Sequence, residues 1–301
     1  MTLGSRGKLL AERVAQHQKA PGHMANQQPP LPRFKKPPVV ETVFGVFFRP
    51  HPQFGIARRV LFWSSLREEF PDVEEKVNVE EVRESFGNAA LSEGAQVRWQ
   101  VSNEPPSPRL WAKSENGRHT IQIQRNALMV NWERDLSKPS ELYIPFDDRR
   151  QGFKEKLTKL DEFFRSQDMG QVEPTSCFVT YVNHIECESE AESYASVMER
   201  TLTTWQNTTS DEWLPDLETA TLRFSAVFPD QQGRLHVNAI PGVRQRDNKK
   251  TLRLELTARG EPLESSIDAS LSWIDLGHEW VVRGFTSLTR SEMHEKWGRT
   301  Q

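Results

Sequence analysis

The 301-residue chain is 36% apolar and carries a formal net charge of −3. No apolar run approaches the roughly 18 residues needed to span a bilayer, and the first twenty residues lack the apolar stretch of a secretory signal. Its two cysteines, Cys177 and Cys187, match no zinc or redox spacing, which points to free thiols in a reducing cytoplasm.

Residues 1–36 are predicted to be a disordered, basic, proline-rich arm. Residues 1–38 hold seven basic groups and one acidic group, with Pro21, Pro29, Pro30, Pro32, Pro37 and Pro38 favouring extended, solvated chain. The arm is thus +6, which leaves −9 for the remainder. An acidic body repels phosphate backbones, so nucleic acid is a disfavoured partner. Met24 directly precedes the proline-rich stretch and is an alternative start, with 1–23 as an extension.

From Pro37 the patterning changes. Val39 to Phe48 is rich in β-branched and aromatic residues and reads as a strand ended by Pro50 and Pro52. Ile56, Val60, Trp63 and Phe70 suggest one face of a helix, and 71–94 reads as an acidic surface excursion. Val97, Trp99 and Val101 alternate as a strand. The Asn116-Gly117 pair marks a hairpin between Arg109–Lys113 and Arg118–Gln124. Leu128, Val130 and Trp132 continue the sheet, and Phe153, Leu157, Leu160 and Phe164 form a helical stripe.

The second half repeats this order. Ser176–Ile185 reads as a strand, and Tyr194 to Trp205 as a helix. Leu222 to Phe228, Leu235 to Ala239 and Leu252 to Leu256 read as strands. A long helix follows from about Ser266 to Arg283, then a short one from Arg290 to Trp297. The expected fold is α+β: two similar β-α-β(3–4)-α halves, 37–170 and 171–301, either separate or continuous. Antiparallel sheets would carry helices on one face and leave an open polar face on the other.

Phosphate loops, dinucleotide fingerprints, zinc-protease and hydrolase signatures are all missing, so no cofactor or metal is expected. The most informative polar residue is His278, which sits mid-stripe among Ile267, Leu271, Ile274, Val281, Val282 and Phe285. It reads as a core histidine tied to a carboxylate or carbonyl. The alternatives are a general base oriented by Asp275, one helical step before it, or a metal ligand. Glu279 is its neighbour. Asn183 shares a strand face with Cys177, Val179, Tyr181 and Ile185, and a buried amide there needs a bond. It is either a structural bridge or a ligand contact at the junction of the halves. Arg98, Gln100, Gln122, Gln124, Arg223 and Arg253 define the polar sheet face. That face is solvated, covered by the acidic stretch 71–94, or a partner-binding saddle.

Several short motifs follow one another in order: Pro37-Pro38-x-x-Glu41, Gln122-x-Gln124-Arg125 leading to Asn131-Trp132, and Tyr181-Val182-Asn183-His184-Ile185. Leu254-x-Leu256-x-Ala258-Arg259-Gly260, Asp275-x-x-His278-Glu279, Phe285-Thr286-Ser287-Leu288 and Trp297-Gly298 follow. Over residues 37–298 the chain resembles a sporadically distributed family of prokaryotic proteins with no established activity. That resemblance implies a prokaryotic, cytoplasmic protein and carries over no catalytic residue. A patchy distribution is typical of genes that move between genomes, such as defence or toxin–antitoxin components. The expected function is a non-enzymatic interaction protein with a protein partner. An enzyme using His278 with Asp275 is the alternative, and nucleic-acid binding through the open face is the weaker one.

Overall fold

Strand and helix patterns that are far apart in sequence converge on one sheet. The computed structural model describes residues 29–87, 108–138, 143–206, 217, 219–245 and 247–301. Its strands are β1 (Val39–Phe48), β2 (Asp72–Lys76), β3 (Arg109–Lys113), β4 (His119–Gln124), β5 (Ala127–Glu133), β6 (Pro174–Glu186), β7 (Leu222–Val227), β8 (Arg234–Arg244) and β9 (Lys249–Gly260). They form a single antiparallel sheet in the order β2-β3-β4-β5-β1-β6-β9-β8-β7. Helices α1 (Ile56–Ser64), α2 (Phe146–Ser166), α3 (Tyr194–Thr201), α4 (Ile267–Leu288) and α5 (Ser291–Lys296) complete it, with the helices on one side of the sheet. The α+β expectation holds, and both runs of elements share the one sheet, joined by the β1–β6 pair.

Strand alternation sorts side chains by face. The helix side carries Phe44, Val46, Ile121, Ile123, Leu128, Trp132, Val179, Tyr181, Val237, Leu254 and Leu256, all buried. The stripe of α2, with Phe153, Leu157, Leu160 and Phe164, covers the first-half strands. Helix α4 covers β6, β8 and β9. It starts at Ser266, whose side chain accepts a hydrogen bond from Ala269 N at 3.1 Å, a normal N-cap. It approaches the sheet closely because Gly277 faces Val179 and Gly284 faces Leu235, where a Cβ would fall 3.1 Å and 2.4 Å from those side chains. Each mid-helix glycine costs about 1 kcal/mol in propensity, and here the close packing of helix on sheet offsets it.

Four expectations need correction. The first helix turns Arg59 and Phe62 inward, whereas Ile56 and Val60 are exposed. A nine-residue helix has too few turns for its stripe to be read reliably. Asp72–Lys76, placed in an excursion, is an exposed edge strand paired with β3. The fold also begins before Pro37. Phe34 packs edge-on to Phe285 at 5.7 Å, and the amides of Lys35 and Lys36 bond the carbonyls of Gly298 and Trp297 at 3.0 Å. One aromatic in a proline- and lysine-rich stretch gives no hint of a partner at the other chain end. Finally, α4 runs on to Leu288. The strand at Val97–Val101, the tail before Gln28 and Met24 lie outside the described residues.

Gly260, which ends β9, tests this packing. A Cβ there would stand 2.1 Å from the carbonyl oxygen of Gln232 and 2.8 Å from the Trp273 ring. Backbone cannot yield as a side chain does. Gly260→Ala is expected to cost about 3 kcal/mol, the upper end for overpacking, in a urea melt. A loss under about 1 kcal/mol would show that this turn rearranges freely.

Candidate functional site

The sequence's leading residue, His278, sits on the inner face of α4 and is 9% exposed. Its ring stacks on Phe146 of α2, with centroids 3.7 Å apart and 5° between planes. Its Nδ1 lies 2.9 Å from the Tyr181 hydroxyl of β6. That hydroxyl accepts from Arg149 Nη2 at 3.1 Å, so it is left to donate onward to the imidazole. Burial, and then the charge of Arg149, pull the His278 pKa down to about 3. The ring is therefore neutral throughout the physiological range. Burial likewise raises the Tyr181 phenol well above its ordinary value.

Asp275 does not orient His278. It turns to Arg150 of α2, with Oδ2 2.7 Å from Nη2 and the second oxygen on Nε. The alternative acid–base pair thus lacks its geometry, whereas the burial of His278 agrees with the expected core histidine. A step of three along a helix makes two residues neighbours, but the arginine that competes for the carboxylate lies 125 positions away. Glu279 pairs with Arg283 one turn on, at 2.7 Å. Asn183, buried, donates to the Leu254 carbonyl on β9 at 3.0 Å, which matches the structural-bridge reading. Among the described residues its Oδ1 has no partner.

The polar sheet face is open only in part. Gln122 is 4% exposed and Gln124 is 1% exposed. Gln122 belongs to a relay across four strands. Arg109 donates to it at 2.6 Å, it donates to Asn131 at 2.6 Å, and Asn131 donates to Glu41 at 2.7 Å. Gln124 clasps the backbone of Val79, accepting from its N–H at 3.0 Å and donating to its carbonyl at 2.9 Å.

Residues 77–87 thus strap one end of this face. Glu81 accepts from Thr175 at 2.8 Å and Ser176 at 3.1 Å. Glu84, with its side chain 3% exposed, meets Arg234, His236 at 2.6 Å and Arg259 at 3.5 Å. Burial pushes the Glu84 pKa up, but the His236 hydrogen bond and the three basic neighbours outweigh it and hold the carboxyl below its ordinary range. The acidic stretch therefore covers part of the face, one of the readings made for it. Of the remaining face residues, Arg223 is exposed, Arg253 pairs with Glu255 at 2.5 Å, and Arg98 and Gln100 lie outside the described residues.

At the opposite end of the sheet a cleft of about 790 Å³ opens where the two runs of elements meet. Pro37, Pro38, Val40 and Arg134 line it from one run, and His184 to Glu190, Arg244, Lys249 and Lys250 from the other. Six cations in its lining (Lys36, Arg134, Arg244, Lys249, Lys250, Lys296) face three carboxylates, Glu186, Glu188 and Glu190. Arg244 and Lys249 hold Glu186 at 2.7 and 3.0 Å, and Lys296 holds Glu188 at 2.8 Å. Burial, then Arg244 and Arg253, lower the His184 pKa, so the imidazole adds no charge.

Arg149 is the residue that sequence reasoning missed. It lies four positions before Phe153, in line with the apolar stripe of α2, and that spacing was the available signal. Its place in the charged run Asp147-Asp148-Arg149-Arg150 disguised it. Among the described residues no group of three His, Cys, Asp or Glu side chains converges as metal ligands, and no helix is long and apolar enough to cross a membrane. No protein-family model matches the chain, and no curated protein matches it either.

Proposed function

We propose that this chain is a non-enzymatic interaction protein whose basic cleft receives an acidic segment of a protein partner. The carrying observation is local charge reversal: a lining with twice as many cations as carboxylates in a body that is −9 outside its first 38 residues. Such a concave patch focuses positive potential and steers an acidic partner. The chemistry the sequence offered for catalysis supports the same reading, since His278 is buried and neutral and Asp275 is committed to Arg150. Trp297 is the one Phe, Tyr or Trp in the cleft's described lining, and with His184 it makes no run of rings on which successive bases could stack. The resemblance to a sporadically distributed prokaryotic family favours a partner encoded beside this gene, as in defence or toxin–antitoxin pairs.

Co-purification from the native host with products of the neighbouring genes tests this reading. A specific partner is expected to lose at least tenfold in affinity, about 1.4 kcal/mol, in the Lys36→Glu/Lys250→Glu variant. Binding should weaken as salt rises, because exposed charges are screened. Arg223→Glu, on the exposed edge strand, should leave it intact. Absence of any partner, or equal binding by the charge-reversed variant, would sink the proposal. Retention of single-stranded nucleic acid at low salt in place of a protein would also overturn it.

A further inference from the structure

A second cavity, of about 290 Å³, lies on the helix side between Phe44 and Trp132 of the sheet, Phe70, and the first turns of α2. Its wall carries Arg149, which is 7% exposed. Four of the five N–H groups of a guanidinium are used there, all on neutral oxygens. Nε reaches Pro145 O at 3.4 Å, Nη1 reaches Thr42 at 2.6 Å, and Nη2 reaches the Tyr143 and Tyr181 hydroxyls. No carboxylate of the described residues stands within ion-pair distance of it. A buried charge is ordinarily paired, and breaking such a pair is costly. Here the faces of Phe44, Trp132, Tyr143 and Tyr181, with centroids 4.7 to 5.8 Å away, supply partial compensation.

The same cavity holds further unused donor capacity. Trp132 is buried, and among the described residues its Nε1–H has no partner. Lys156, two turns along α2, has a 7% exposed side chain and contacts Glu69 at 2.5 Å. The carboxylates of Asp148 and Glu155 belong to exposed residues at the mouth, and Glu69 is half exposed. The interior is thus aromatic and cationic, and the entrance is acidic.

We propose that this cavity binds a small monocarboxylate, with its carboxylate on Arg149 and its apolar tail against Phe44, Phe70 and Trp132. The one guanidinium N–H left over, on Nη1, can donate a charge-assisted hydrogen bond to a carboxylate oxygen, and the buried charge gains the counter-ion it lacks. The acidic mouth repels anions of higher charge, such as phosphate, more strongly than a singly charged carboxylate. The volume is at the small end for ligand sites, which fits a compact acid.

Titration of the full chain with butyrate, benzoate and inorganic phosphate tests this, read by thermal shift and by tryptophan fluorescence. At least one monocarboxylate is expected to raise the melting temperature at roughly 10 mM, within the weak range for small ligands, and phosphate is not. The discriminating variant is Gly152→Leu. Gly152 lines the cavity, and a Cβ there meets nothing within 4 Å. Leucine fills the space, suits a helix better than glycine, and leaves Arg149 in place. That variant should fold at least as well and lose the ligand response by tenfold or more. Arg149→Lys, which keeps a charge but loses the bonds to Pro145, Thr42, Tyr143 and Tyr181 that position it, should also weaken it. The proposal fails if no monocarboxylate shifts the wild type, if phosphate shifts it as much, or if Gly152→Leu responds like wild type.

Discussion

Between pH 7.5 and pH 5 the protein is expected to lose about 2 kcal/mol of stability through His278 alone. The folded-state pKa is about 3 against an ordinary value of 6.5. Below 6.5 the unfolded chain takes up a proton that the folded chain refuses, so unfolding is favoured as pH falls. The loss runs at about 1.4 kcal/mol per pH unit until the folded pKa is reached. Burial of the ring beside Phe146 and the nearby Arg149 charge are the causes. His119, His184 and His294 are also shifted down, first by burial, and add to the slope in the same direction. The measurement is therefore a difference. Urea melts at the two pH values should show a steeper loss in wild type than in His278→Gln, by roughly that 2 kcal/mol. Parallel slopes would mean the ring protonates in the folded state, and a solvent-reachable histidine would return as a catalytic candidate.

Glu84→Ala should release the strap without unfolding the sheet. Among the described residues the carboxylate is the one acidic group that Arg234, His236 and Arg259 share, and its side chain is 3% exposed. Removing one partner of a buried ion pair typically costs 3–5 kcal/mol because the other charge is stranded. Here the stranded cations lie on the outer face, and they regain water if the strap lifts. The global cost is thus capped near the docking energy of residues 77–87, and the local consequence is large. Trypsin cleavage at Lys76 and Arg83 should accelerate at least tenfold, with a smaller change in the global melt. Acid acts in the same direction. A carboxyl whose folded pKa is depressed contributes stability above the ordinary carboxylate range and loses it as pH falls through the folded value. Unchanged cleavage in Glu84→Ala would show that Gln124, Thr175 and Ser176 hold the strap by themselves.

These two effects show how the polar groups divide between roles. The cavity at Arg149 and the cleft at Lys250 are lined by separate sets of residues. Their variants can be scored independently. Loss of a carboxylate response in Gly152→Leu leaves partner binding untouched, and the cleft variant leaves the cavity intact.

Local pattern alone determined much of this protein. Alternation placed β1, β6, β8 and β9, Asn116-Gly117 marked the hairpin between β3 and β4, and the stripes of α2 and α4 were legible at helical spacing. Such patterns survive in sequence because each residue's burial depends on the period of its own element. The buried setting of His278 and the bridging role of Asn183 followed from the same logic, since a polar group on an apolar stripe is enclosed and must be bonded. What only the tertiary structure decided was partnership. Asp275 chose Arg150 over His278, Glu84 found two arginines and a histidine some 150 positions or more away, and Phe34 met the C-terminal tail. Charge pairing is short in space and indifferent to chain distance, so no spacing rule reports it. Part of the face that alternation marked as polar was closed for the same reason. Gln124 points away from the core as its position requires, and it is buried because a distant strap, itself without any period, lies across it.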